Sequence, residues 1–146
     1  MKHLFACAML LAFVTLGNIS KAQTSTRPSL FDAFPNSIGC SGNELERIFT
    51  SSTNSTLLLS FSNSNFSGQI SSAIQRYSNL KSVVVKLNNL QGAVFTISKR
   101  INDDNTFVYT GHIINEQFAD GYELKKDVNG NYSLNKIKLD DILQDR

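Results

Sequence analysis

Cysteine is scarce: the 146 residues hold two, Cys7 and Cys40. Two cysteines cannot build a disulfide scaffold or a multi-cysteine zinc site. Histidine is as rare, with His3 and His112 alone, so the usual Cys/His metal site lacks ligands and no metal or other cofactor is expected. Charge is thin at 18% of residues, and the basic residues cluster only as Lys99-Arg100 and Lys125-Lys126. Nucleic-acid binding needs a positive footprint on one face, and none is visible. Long apolar runs are absent beyond Leu4–Leu16, which is shorter than the roughly 20 residues of a spanning helix. No Gly-x-Ser-x-Gly elbow is present to raise a nucleophilic serine.

That short apolar run has a use of its own. Lys2 and His3 precede it, a polar stretch follows, and Ser20 and Ala22 stand at the −3 and −1 positions of a cut. This pattern predicts a secretory signal peptide over residues 1–22, cleaved after Ala22. The mature chain is then extracytoplasmic, secreted or periplasmic, and carries no membrane span. Removal of Lys2 and Lys21 would bring the 14 basic residues level with the 12 acidic ones. Cys40 would be left without an internal disulfide partner. Residues 23–28 are polar and read as a flexible tail, leaving 29–146 as a single β-rich domain.

Within that domain, Leu30, Phe31 and Phe34 lie between the two prolines and suggest one turn held on the core. Ser41-Gly42-Asn43-Glu44 has the spacing of a capping box. Leu45, Ile48 and Phe49 then share a helical face, which predicts a helix from Gly42 to about Thr50. From Leu57 onward the apolar period becomes two. Residues 70–77 fit either period, and Gly68 with its serine neighbours favours strand. The runs Ser82–Leu87, Ala93–Ser98, Thr106–Asn115, Tyr122–Leu124 and Tyr132–Leu134 read as further strands. Asn102–Asn105 and Val128-Asn129-Gly130-Asn131 mark turns, the latter a strong hairpin signal. The expected fold is mainly β (α+β): a curved antiparallel meander of about seven strands, forming a partial barrel or single sheet with the N-terminal helix packed on it.

Candidate functional residues come by residue type. His112 is the one histidine outside the signal peptide and the natural general base to weigh. Glu116 and Asp120 lie in a loop, where binding residues concentrate. Tyr109 and Tyr122 can line a mouth of the barrel. The oxygen-rich strings Asn102–Asn105 and Asp127–Asn131 suit hairpin turns better than calcium, since neither follows the EF-hand spacing. The leading expectation is a non-enzymatic domain that binds a protein, a peptide or an apolar small ligand through Tyr109, His112, Glu116, Asp120 and Tyr122. The alternatives are a small secreted hydrolase using carboxylates or His112, and an envelope structural or protease-inhibitory module acting through exposed strand edges.

Overall fold

The structure is a computed structural model that describes residues 27–139. The expected signal peptide and its cleavage point fall outside those residues. Eight strands run β1 (Ser37–Cys40), β2 (Thr56–Phe61), β3 (Ser64–Tyr77), β4 (Leu80–Leu87), β5 (Val94–Ile101), β6 (Phe107–Ile114), β7 (Asp120–Lys126) and β8 (Tyr132–Lys138). One helix, α1 (Gly42–Thr50), links β1 to β2. All neighbours pair antiparallel in the order β1-β8-β7-β6-β5-β4-β3-β2.

The expected curved meander is therefore present, as a curled half-barrel. The segment 70–77 is strand, with a register shift between Ile70 and Ser72. The strand not anticipated is β1, because Ile38-Gly39-Cys40 sits among turn-forming residues and is too short to show a period of two. It adds to the outer side of β8, placing Ile38 opposite Leu134 and Cys40 opposite Tyr132. The sheet curls until its two edge strands meet without pairing. The Ser62 hydroxyl, in the β2–β3 turn, donates to the Gly39 carbonyl of β1 at 3.0 Å. The approach is close: a Cβ on residue 39 would lie 2.8 Å from Ser62 Oγ and would displace that hydroxyl.

Strand alternation sends one set of side chains into the half-barrel. Leu59, Phe61, Phe66, Ile70, Val83, Val85, Leu87, Phe95, Ile97, Tyr109, Ile113, Tyr122 and Leu134 are almost wholly buried. The interior is thus packed with side chains. Its two ends are closed by different devices. At one end the N-terminal turn inserts Phe31 against Tyr122, with ring centroids 4.9 Å apart, and stacks Phe34 on Phe66 at 6.1 Å. At the other end α1 lays down Leu45, Ile48 and Phe49.

Helix α1 starts as the sequence predicts. Ser41 caps it, its hydroxyl accepting from the Glu44 amide at 3.2 Å. The reciprocal half of the capping box is replaced by a contact across the fold. Glu44 accepts from the Ser60 amide of β2 at 3.1 Å and pairs with Arg47, which donates to the Leu58 carbonyl. The free edge of β2 is thereby occupied by helix side chains, which guards it against pairing with another strand. Ser41→Ala is expected to cost about 1 kcal/mol. A urea midpoint equal to that of the parent would contradict this.

Cys40 ends β1 with its thiol in the core, and burial pushes its pKa up to about 12. A thiol that holds its proton is a poor nucleophile. Cys40 is expected to resist a thiol reagent in the folded protein and to react within seconds in denaturant. Fast labelling of the native protein would contradict that placement.

Candidate functional site

The candidate residues separate onto the two faces of the sheet. Tyr109, Asp120 and Tyr122 face inward and serve the fold. Tyr109 stacks beside Phe49 at 5.6 Å and donates to the Glu46 carboxylate at 2.5 Å. Lys99 reaches the same carboxylate at 2.7 Å. Burial raises the Tyr109 pKa above the usual phenol range, and Glu46 adds to the effect. Burial alone would raise Glu46 as well, but Lys99 and Tyr109 outweigh it and hold the carboxyl below its ordinary value. This network ties α1 to β5 and β6. The strands β6 and β7 pair only from Gly111 to Ile114. Beyond that point they part, and the Tyr132 hydroxyl accepts the Tyr109 amide at 3.1 Å in place of a ladder bond.

Asp120 is buried at the start of β7 and gathers the N-terminal turn. Its carboxylate accepts from the Ser29 hydroxyl at 2.5 Å, the Leu30 amide at 2.7 Å and the Phe31 amide at 3.0 Å. Tyr122 donates to the Pro35 carbonyl at 2.5 Å, and burial pushes its pKa up to about 12. Lys136, on β8, completes the clasp by donating to the carbonyls of Phe31 and Phe34 at 2.8 and 2.9 Å. Each of these groups has polar partners inside the protein, and together they tie the N-terminal turn over the end of the half-barrel.

His112 and Glu116 are elsewhere, on the outer face. Across that face the register places Thr96, His112, Glu123 and Asn135 in one row. Ser82, Ser98 and Thr110 form the adjacent row, with the two serine hydroxyls 2.8 Å apart. Val94, Ile114, Gly121 and Ile137 form the row on the other side. Of these rows, Thr96, Ser98, Thr110, His112, Ile114, Glu123 and Ile137 line an open recess of about 940 Å³, together with Arg27, Glu116 and Leu139. Arg27 donates to the Glu116 carbonyl at 3.1 Å, and Pro28 accepts from the Ala119 amide, so the entering chain forms one wall.

Burial lowers the His112 pKa, and the nearby Glu123 opposes that shift. Yet Glu123 pairs with Lys125 at 3.0 Å, and among the described residues no hydrogen bond joins His112 to Glu123, Thr96 or Thr110. Among the described residues no three His, Cys, Asp or Glu side chains gather as metal ligands. The Asp127 carboxylate turns onto its own hairpin, accepting from the amides of Asn129 and Asn131. No described helix is long and apolar enough to cross a membrane.

Comparison of the chain with family models, curated proteins and solved structures finds no match. The reading of the site therefore rests on its chemistry. Of that site, His112 and Glu116 are legible by residue type. The wall residues Thr96, Ser98, Thr110, Ile114 and Ile137 carry no motif that marks them, although all but Ile137 fall within strands that the period of two predicts. Their signal is a lack of charge at positions where a solvated sheet face carries it.

Proposed function

We propose that the mature chain is a non-enzymatic extracytoplasmic binding domain, and that its ligand is a peptide segment of a partner protein held in the outer-face recess. The observation that carries this reading is the division of the two faces. The inner face is filled by Phe61, Phe66, Phe95, Tyr109 and Tyr122, leaving an apolar ligand no room there. The outer face presents hydroxyls beside aliphatic side chains, with carboxylates at the rim. Such hydroxyls suit the amide groups of a peptide, and Ile114, Ile137 and Leu139 suit an aliphatic side chain. Export of the chain rests on the signal pattern at residues 1–22.

The strand-edge alternative has less support, because Arg47 and Glu44 already engage the β2 edge. The hydrolase alternative lacks a paired base and nucleophile. Thr110→Arg tests the proposal, since Thr110 is exposed and an arginine there fills the recess without touching the core. The variant should fold normally and lose at least tenfold in affinity for a partner captured from the exported fraction. Undiminished binding would refute the recess as the site.

His112 makes a separate prediction about pH. Its native pKa lies below the ordinary value of 6.5. Above that value the ring is neutral in both the folded and unfolded chain, and adds no pH dependence. Below it the unfolded chain takes up the proton more readily, so stability falls as the pH drops toward the lowered native value. His112→Gln removes this loss. The gap between urea midpoints at pH 7.5 and pH 5 should be smaller in the variant than in the parent. An equal gap would show that His112 is not desolvated.

A further inference from the structure

Up-and-down topology brings the β3–β4, β5–β6 and β7–β8 turns to one end of the half-barrel. That end collects most of the large apolar side chains that the fold leaves in water. Tyr77 is 69% exposed at the β3–β4 tip, and Ile101 and Phe107 face each other at the β5–β6 tip with more than a third of their surface free. Val128, in the β7–β8 turn, is fully exposed. The first two tips are joined, since the Ile101 amide donates to the Asn79 carbonyl at 2.8 Å. An aromatic lane from Phe107 through Tyr109 to Tyr132, with centroids 5.4 and 5.3 Å apart, continues toward the third.

Each apolar tip has a cation close behind it. Arg76 precedes Tyr77, Arg100 precedes Ile101, and Lys126 lies two residues before Val128. Lys99 sits over the Phe107 ring at 4.7 Å, and Lys126 over the Tyr132 ring at 5.7 Å. Lys99 and Lys125 are paired with Glu46 and Glu123, which leaves Arg76, Arg100 and Lys126 to meet anions. The exposed acids of this end, Asp103, Asp104 and Asp127, lie in the turns, and two of them are engaged by local hydrogen bonds. Asp104 accepts from Thr106, and Asp127 accepts from its own hairpin.

We propose that this end of the domain docks on the surface of a phospholipid bilayer containing anionic lipid. Tyr77, Ile101, Phe107 and Val128 enter the interfacial region, and Arg76, Arg100 and Lys126 meet lipid phosphates. The contact is peripheral and crosses nothing. Aromatic and aliphatic groups backed by Lys or Arg are the side chains that settle at a membrane–water boundary. The tips are also separate projections on three turns. A fluid lipid surface accepts separate projections, whereas a rigid protein partner would need a matching concavity for each.

Flotation with vesicles of phosphatidylcholine and phosphatidylglycerol tests this, using the purified protein at low salt. The parent should float with the vesicles. A variant carrying Tyr77→Ser, Phe107→Ser and Val128→Asp should lose at least tenfold in partition, with an unchanged circular dichroism spectrum. A second variant, Arg76→Glu with Arg100→Glu, should lose a comparable factor. Leu58→Ser removes an exposed leucine from the edge strand β2 and should leave partition unchanged. A parent that stays unbound at millimolar lipid would overturn the proposal. So would tip and charge variants that float as the parent does, or a Leu58→Ser variant that loses as much as they do.

Discussion

Asp120→Asn is expected to destabilise the protein by about 2–3 kcal/mol, because it sets an amide donor against groups that are themselves donors. The two carboxylate oxygens take three hydrogen bonds, from Ser29, Leu30 and Phe31. Asparagine keeps one acceptor oxygen and offers an N–H₂ to the other amide. The Ser29 hydroxyl can rotate to accept, but a backbone N–H cannot. One of the Leu30 and Phe31 amides is then left facing a donor. Phe31 loses its anchorage over Tyr122, and that end of the core opens. Urea unfolding measures the effect, and limited proteolysis should show faster cutting within residues 29–36. A midpoint within experimental error of the parent would mean that Asp120 does not hold the turn, and would return it to the list of binding residues.

Gly111→Ala is expected to cost about 2–3 kcal/mol by overpacking. Gly111 faces inward on β6, opposite Ile97 on one side and Leu124 on the other. A Cβ built there lies 2.5 Å from the Thr96 carbonyl oxygen and 3.0 Å from Ile97 Cα. Both are main-chain atoms held in the sheet, so the strand itself must move. Gly42→Ala is the control, since a Cβ at that helix position meets nothing within 4 Å. It should be neutral or stabilising by up to about 1 kcal/mol. Equal midpoints for the two variants would show that the tight approach at Gly111 is absent in solution.

These two positions show what a sequence states openly and what it hides. The period-two runs of β4 to β6, the Asn129-Gly130 hairpin and the Ser41 cap were legible, because each rests on neighbours in the chain. Gly130 does take a positive φ of 88° in that hairpin. The short strand β1 was not legible, since its place beside β8 is set by residues nearly a hundred positions away. The same distance hid the use of Asp120. A loop carboxylate looks like a binding residue until the turn it receives, from the other end of the chain, comes into view. Tyr109 and Tyr122 prove to be buried for a related reason, as strand alternation tells which residues share a face but not which face turns inward. Of Tyr109, His112, Glu116, Asp120 and Tyr122, only His112 and Glu116 reach the outer recess, and the hydroxyl and aliphatic side chains around them come together only once register aligns the strands.

The division between a structural inner face and a binding outer face is tested most directly by position-specific crosslinking. A photoreactive residue placed at Thr110, in the recess, should capture a defined partner from the exported fraction. The same group at Asn63, in the exposed β2–β3 turn, should not capture it. Unlabelled protein in excess should suppress the Thr110 product. Capture from Asn63 with none from Thr110 would contradict the assignment of the outer face.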